Sequence, residues 1–386
     1  MYNSIPVEVW RQIFSVAVRR CVHAQRLQAT ADDDDHDPFN LGSSHLLRDT
    51  LKTKLALCLV SKGFNSIATE FLYESVHFIS YEHLKSAIQH SPRGVTNKLW
   101  WTKVLVLRFW YAMDSWVASV AHLLSKCVNL RFLYFAALPL DPEVGLDQVK
   151  AVSRSLPRSV QAIRWEMGDR PIFQNIPTIV LDNICQMSIE SRAVMSTPAL
   201  TFPRLTYFRA RDNFTPTSLT FPALKTVCLI AWECDRDLES SPLGLFIQSV
   251  AKQITTLQIE NDKFFTVELH VPLVDCCTNL TTLKYDPSTV CVRMSSLSED
   301  PDIIQHTKLT HVYNFISIIP VSRIFRLPRW KANYQWLSHG GFPALKHIII
   351  LRSCVSVVYE EQVLSQIASA WTDPRMEFEC GVSACT

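Results

Sequence analysis

Residues 130–135 read LRFLYF, residues 224–229 read LKTVCL and residues 280–285 read LTTLKY. All three share one frame: apolar, two variable positions, apolar, one variable position, apolar. The last four positions alternate, as in a short strand with one face turned to a core. The frame returns as VQAIRW from Val160, LTYFRA from Leu205, ITTLQI from Ile254 and LKHIII from Leu345. TKVLVL from Thr102 and LTHVYN from Leu309 are looser copies. Starts fall mostly 19 to 36 residues apart, and the 45-residue gap after Val160 leaves room for one degenerate copy.

Helical segments lie between many of the frames, such as DSWVASVAHLLSKC (114–127) and SPLGLFIQSVAKQ (241–253). Pro203, Pro222 and Pro343 each stand two residues ahead of a frame. A strand-then-helix unit of this period cannot bury its own apolar face, and stacking makes the core continuous. The pattern therefore predicts an α/β fold, an irregular leucine-rich-repeat-like solenoid over residues 95–386. The copies lack the Asn or Cys that follows the strand in regular leucine-rich repeats and satisfies buried backbone groups. The same spacing also fits an ordinary α/β domain built of right-handed crossovers.

The chain has 386 residues, 48% of them hydrophobic, and a formal charge of +2. That length fits two domains or one extended architecture. The balanced charge gives no sign of bulk binding to nucleic acid or to an anionic membrane. The N-terminus has no basic segment ahead of an apolar block, and no run approaches the roughly 18 apolar residues of a spanning helix. The expected location is the cytosol or nucleus. Twelve cysteines without a CxxC pair read as small hydrophobes in a reducing compartment.

The first 80 residues differ from the rest. Val9, Trp10, Ile13, Phe14, Ala17 and Cys21 recur at helical spacing. Pro6 stands where that helix should begin, and Glu8 suits its first turn. Residues 31–44, ADDDDHDPFNLGSS, have calcium-loop alternation at Asp33, Asp35 and Asp37. They have Pro38 where such a loop needs Gly and Ser44 where it needs Glu, so the stretch reads as a solvated insertion, near residues 22–46. Helical period resumes at Leu47, Leu51, Leu55, Cys58 and Leu59. Ser61 can cap a last helix with Phe64, Ile67, Ala68, Phe71 and Leu72 on its apolar face. Three helices of this size cannot bury all their apolar surface alone, which implies a partner or packing against the rest of this chain.

IPVEVWRQIF (5–14) resembles the opening of an F-box, and LVSKGFNSIA (59–68) resembles its second half. The wider string LLRDTLKTKLALCLVSKGFNSIATEFLYESVHF (46–78) is similar to fungal F-box proteins. The resemblance covers about residues 3–78. Pro6 and Phe64 lie 58 positions apart, about twice the family's spacing, with the excess around the aspartate run. The resemblance implies a docking site for a Skp-type adaptor and, through it, a cullin–RING ubiquitin ligase. Its contacts would be Ile5, Pro6, Val9, Ile13, Phe14, Leu59, Val60, Ser61 and Phe64, some of which must instead hold the helices together.

In a solenoid the variable positions line the strand face opposite the core. Phe132, Tyr134, Arg164, Tyr207, Arg209, Lys284, His311, Tyr313 and His347 are then the candidates for holding an unidentified protein target, since aromatic and basic side chains anchor interfaces. The sequence holds no GxxxxGK, GxGxxG or GxSxG, no metal-ligand spacing and no spaced carboxylate pair. The expected function is a non-enzymatic substrate-recognition subunit of a ubiquitin ligase, needing no cofactor, metal, nucleic acid or membrane. A scaffold without a ubiquitin role, in which the helices only cap the solenoid, is the alternative.

Overall fold

The computed structural model describes residues 5–18, 44–89, 96–112, 116–139, 145–166, 176–190, 199–211, 219–231, 242–261, 267–270, 276–285, 290–293, 307–316, 337, 342, 344–352 and 377–382. The aspartate run at 32–37 lies outside them. The chain divides into two units, residues 1–190 and 191–385.

The first unit opens with helices α1 (Val7–Val18), α2 (Ser44–Val60) and α3 (Lys62–Leu72). Their boundaries follow from local chemistry. The Pro6 carbonyl accepts from the Val9 and Trp10 amides and so starts α1. Ser61, extended at φ −162°, breaks α2 from α3, and its Oγ accepts from the Phe64 amide at 3.1 Å. This is the N-cap bond that satisfies one of a helix's orphan donors. The chain then runs through β1 (Ser75–Phe78), α4 (Tyr81–Gln89), a 3₁₀ turn at Thr96–Trp101 and β2 (Val104–Ala112). Next come α5 (Trp116–Lys126), β3 (Phe132–Pro139), α6 (Gly145–Arg154), β4 (Ala162–Glu166), α7 (Thr178–Leu181) and β5 (Gln186–Ile189).

The second unit contains the short strands β6 (Leu200–Thr201) and β8 (Leu219–Thr220), which pair with each other. They flank β7 (Tyr207–Arg211) in the chain, and β9 (Thr226–Ala231), helix α8 (Pro242–Val250) and β10 (Thr256–Asn261) follow. Strands β11 (Val267–His270) and β13 (Val290–Arg293) form a second outlying pair around β12 (Thr282–Tyr285). Then come β14 (His311–Ile316), β15 (His347–Arg352) and β16 (Glu377–Val382).

Strand order distinguishes the two architectures that the sequence allows. In the first unit the sheet runs β1-β2-β3-β4-β5, and in the second β7-β9-β10-β12-β14-β15-β16. Among the described residues these strands all pair in parallel. A doubly wound α/β sheet reverses its order at a switch point. Neither unit does so, which is the order of stacked repeats. The gap after Val160 holds β5; Ile184 just ahead of it and Met187 and Ile189 within it keep the frame and are buried.

Most repeats are locked ahead of their strand. The amide of the frame's first residue donates to the carbonyl three positions back: Leu130 to Cys127, Ile184 to Leu181, Leu205 to Phe202, Leu224 to Phe221, Leu280 to Cys277 and Leu345 to Phe342. The side chains at those back positions are all buried. The frame's second carbonyl then accepts two amides from the next repeat. Lys103 O takes Arg131 and Phe132, Arg131 O takes Gln161 and Ala162, and Thr255 O takes Thr281 and Thr282. A side chain just ahead of the frame often adds a third tie: Asn129 Nδ2 to Trp100 O (2.6 Å), Ser159 Oγ to Val128 O (2.7 Å) and Asn279 Nδ2 to Lys252 O (2.6 Å). Buried backbone groups must be paired, and here the pairing residues precede the strand instead of following it.

Six described cysteines carry no disulfide. Cys127 and Cys277 occupy the back position that holds phenylalanine or leucine in other repeats, so they act as core side chains. Burial pushes the Cys127 thiol up to about 12. Native protein should therefore leave Cys127 unalkylated by iodoacetamide at pH 8, and urea should expose it; mass spectrometry reads both states. Asn279→Ala should lower stability by about 1 kcal/mol in urea titration, because Lys252 loses its side-chain donor.

Candidate functional site

Two regions carry the residues singled out in the sequence. In the three helices, Phe14 is 1% exposed and packs with Ile67 and Ala68, ringed by Trp10, Leu57, Cys58, Phe64 and Phe71. Trp10 and Phe64 meet edge to face at 4.5 Å, and Phe14 and Phe64 at 5.0 Å. The Arg11 guanidinium forks onto the Glu70 carboxylate, with Nε–Oε2 at 3.1 Å and Nη2–Oε1 at 2.7 Å. This two-point clasp fixes α1 against α3 across 59 positions of chain. Phe14 and the half-buried Phe64 therefore hold the helices together.

The other sequence candidates here point outward. Ile5, Pro6, Val9, Ile13, Leu59, Val60 and Ser61 are exposed, Leu59 at 85% and Val60 at 63%. Val9, Ile13 and Val16 stand at i, i+4 and i+7, one stripe of α1. Leu51, Leu55 and Leu59 stand at i, i+4 and i+8, one stripe of α2. All six are exposed. Of fourteen exposed large hydrophobic residues among those described, nine lie between Ile5 and Val60. Isolated surface leucines are ordinary, but a concentration on two helices marks an interaction face.

The strand face opposite the core is different, because its arginines and the Tyr134 hydroxyl are engaged by carboxylates of the chain. In the first unit, register places Tyr134 beside Arg164. The Arg164 guanidinium carbon lies 4.8 Å from the Tyr134 ring centre. Its Nε donates to Glu166 at 2.7 Å and its Nη2 to Glu190 at 2.8 Å, while the Tyr134 hydroxyl donates to Glu166 at 2.7 Å. Burial, then the Glu166 charge, pushes the Tyr134 phenol up from its ordinary value, so it stays a neutral donor. Phe132 is buried on the same row.

In the second unit, Arg209 Nη2 donates to Glu260 at 2.6 Å, and Gln258 Nε2 meets the other oxygen of that carboxylate at 2.7 Å. The Lys284 ammonium sits 5.0 Å from the centre of the Tyr313 ring. His311 and His347 stack at 5.0 Å with ring planes 13° apart. Tyr207, Arg209 and Lys284 are buried, and His311, Tyr313 and His347 are half-buried. The carboxylates that engage the two arginines were missed from sequence, although a signal existed. Glu166, Glu190 and Glu260 each follow a frame directly, and two positions along a strand return a side chain to the same face.

Among the described residues no group of three or more His, Cys, Asp or Glu side chains could hold a metal ion, and no helix is long and apolar enough to cross a membrane. No family model and no curated protein matches the chain. Among solved structures, it is similar to the leucine-rich repeat-containing protein LegL7 from Legionella pneumophila. Identity is 11% and the TM-score is 0.33, over 71% of this chain and 83% of that one.

Arg164→Ala would leave Glu166 and Glu190 facing each other without their cation. Removing one partner of a largely buried pair costs about 3 kcal/mol. Urea unfolding should show a loss of that order for Arg164→Ala, and replacing Glu166 and Glu190 by Gln in the same chain should recover part of it.

Proposed function

We infer that this chain is a non-catalytic recognition subunit that docks a Skp-type adaptor, and through it a cullin–RING ubiquitin ligase, by its N-terminal helices. Its repeats hold the protein to be modified. The observation that carries the inference is the pair of exposed apolar stripes, Val9/Ile13/Val16 and Leu51/Leu55/Leu59. They coincide with the segments that resemble an F-box. Full burial of one such side chain contributes about 1.5–3 kcal/mol, so a few of them suffice for stable docking once association entropy is met. The helices would bring no reactive group. Their contribution is proximity, holding a bound target beside a ubiquitin-loaded enzyme.

A second reading, a scaffold whose helices only cap the repeats, is favoured by one feature. The helices feed straight into the first rung: Glu74 O accepts from the Lys103 and Val104 amides, and Thr102 Oγ1 donates to Tyr73 O at 3.0 Å. A pure cap, however, has no need of apolar stripes turned outward.

The test changes exposed positions only. Val9→Asp, Ile13→Asp and Leu59→Asp together should abolish co-purification with a Skp-type adaptor while leaving the thermal midpoint within about 2 °C of the parent, since surface changes shift stability by about 0.5 kcal/mol or less. A folded parent chain that captures no adaptor would move the scaffold to first place.

A further inference from the structure

The second unit is electrically balanced. From residue 191 to 385 it has 18 basic and 18 acidic residues. The turns that lead into β7, β9, β10, β12, β14 and β15 are nevertheless of one sign. They read FPRLT (202–206), FPALK (221–225), AKQIT (251–255), CTNLT (277–281), TKLT (307–310) and FPALK (342–346). These segments hold five basic residues, Arg204, Lys225, Lys252, Lys308 and Lys346, and no Asp or Glu. All five are exposed.

The fold sets these turns side by side. The Lys225 carbonyl accepts from the Thr255 and Thr256 amides, Thr255 O from Thr281, Thr281 O from Thr310, and Thr310 O from Lys346. Lys252 and Lys308 stand three and two residues ahead of Thr255 and Thr310, joined through Asn279, whose Nδ2 donates to Lys252 O and whose Oδ1 accepts from Lys308 Nζ. Thr281 and Thr310 turn their hydroxyls inward to the preceding repeat's carbonyl, each at 3.1 Å. The lysines therefore dominate what projects from the edge. Neighbouring strands are about 4.8 Å apart, so the five steps from β7 to β15 span about 24 Å. An extended polypeptide covers that distance in about seven residues, at roughly 3.4 Å each.

We propose that this turn edge binds an extended acidic segment, about seven residues long, of a partner protein. Charge complementarity selects the sign, and the linear array selects an extended ligand. Single-stranded nucleic acid fits less well, because it needs stacking platforms beside the cations. The aromatic side chains of these turns, Phe202, Phe221 and Phe342, are all buried. The proposal deepens the target-holding half of the function inferred above and does not depend on adaptor docking.

Fluorescein-labelled heptaglutamate, heptaglutamine and a short oligothymidylate are titrated into the full chain at low ionic strength. Heptaglutamate should bind most tightly, and added salt should weaken it. Lys252→Glu, Lys308→Glu and Lys346→Glu together should raise its Kd at least about tenfold, with the far-UV circular dichroism spectrum unchanged. The corresponding Lys→Gln chain covers the case in which charge reversal impairs folding, and it should weaken binding in the same direction. A matched control on helices of the first unit, Lys62→Glu, Lys126→Glu and Arg154→Glu, changes net charge equally without altering these turns and should bind as the parent does. The proposal is overturned by equal affinity for heptaglutamate and heptaglutamine, by an equal loss in the control, or by tighter binding of oligothymidylate. Adaptor capture by the Lys→Glu chain reads the N-terminal helices separately, so either idea can fail without the other.

Discussion

Each repeat depends on one shared acceptor: a carbonyl just ahead of the strand that takes two amides from the following repeat. Glu74, Lys103, Arg131, Gln161, Thr206, Lys225, Thr255, Thr281 and Thr310 all serve in this way. The bond pair fixes where the next strand begins relative to the last. Strands then add in chain order and in parallel, and apolar frame positions fall on one continuous core row. A slip of one residue at the acceptor would turn every following side chain to the opposite face. This explains why, in six repeats, the turn is closed twice, by an amide-to-carbonyl bond three residues back and by a buried side chain at that back position.

That constraint also distributes the polar residues. A parallel stack has two rims and a face that core packing leaves for other uses. On the strand face, Arg164 is held by Glu166 on its own strand and by Glu190 just after the next one, and Arg209 by Glu260 two strands away. These arginines are committed to the fold. Positions that look like recognition residues in a one-dimensional frame are cross-strand glue in three dimensions. The turn rim of the second unit is the reverse case. Its lysines are scattered through a chain of nearly neutral charge, and only stacking gathers them into one row.

The N-terminal helices follow a different logic. Their core is aromatic and small, built on Phe14 with Trp10, Phe64 and Phe71, and the Arg11–Glu70 clasp supplements it. A core of that size covers one side of each helix. The other side of α1 and α2 keeps its apolar stripes in water, which is costly for a lone chain and natural for one that meets a partner.

The sequence by itself determined the repeating strand, its period and its core positions, because burial on one face of a strand imposes alternation that survives any tertiary arrangement. It also determined the Ser61 cap and the start of α1 at Pro6, since both rest on bonds within a few residues. Tertiary structure alone decided the rest. It separated Phe14 and Phe64, which pack inward, from Val9, Ile13, Leu59 and Val60, which do not; all six are apolar and share the same period, so no local rule sorts them. It showed that the open position after Val160 is filled by β5. It paired Arg164 and Arg209 with carboxylates up to 51 positions away, and it aligned Lys225, Lys252, Lys308 and Lys346 on one rim. Contacts between distant parts of the chain depend on register and stacking order, and the stacking order became visible only once the shared carbonyls had joined each repeat to the next.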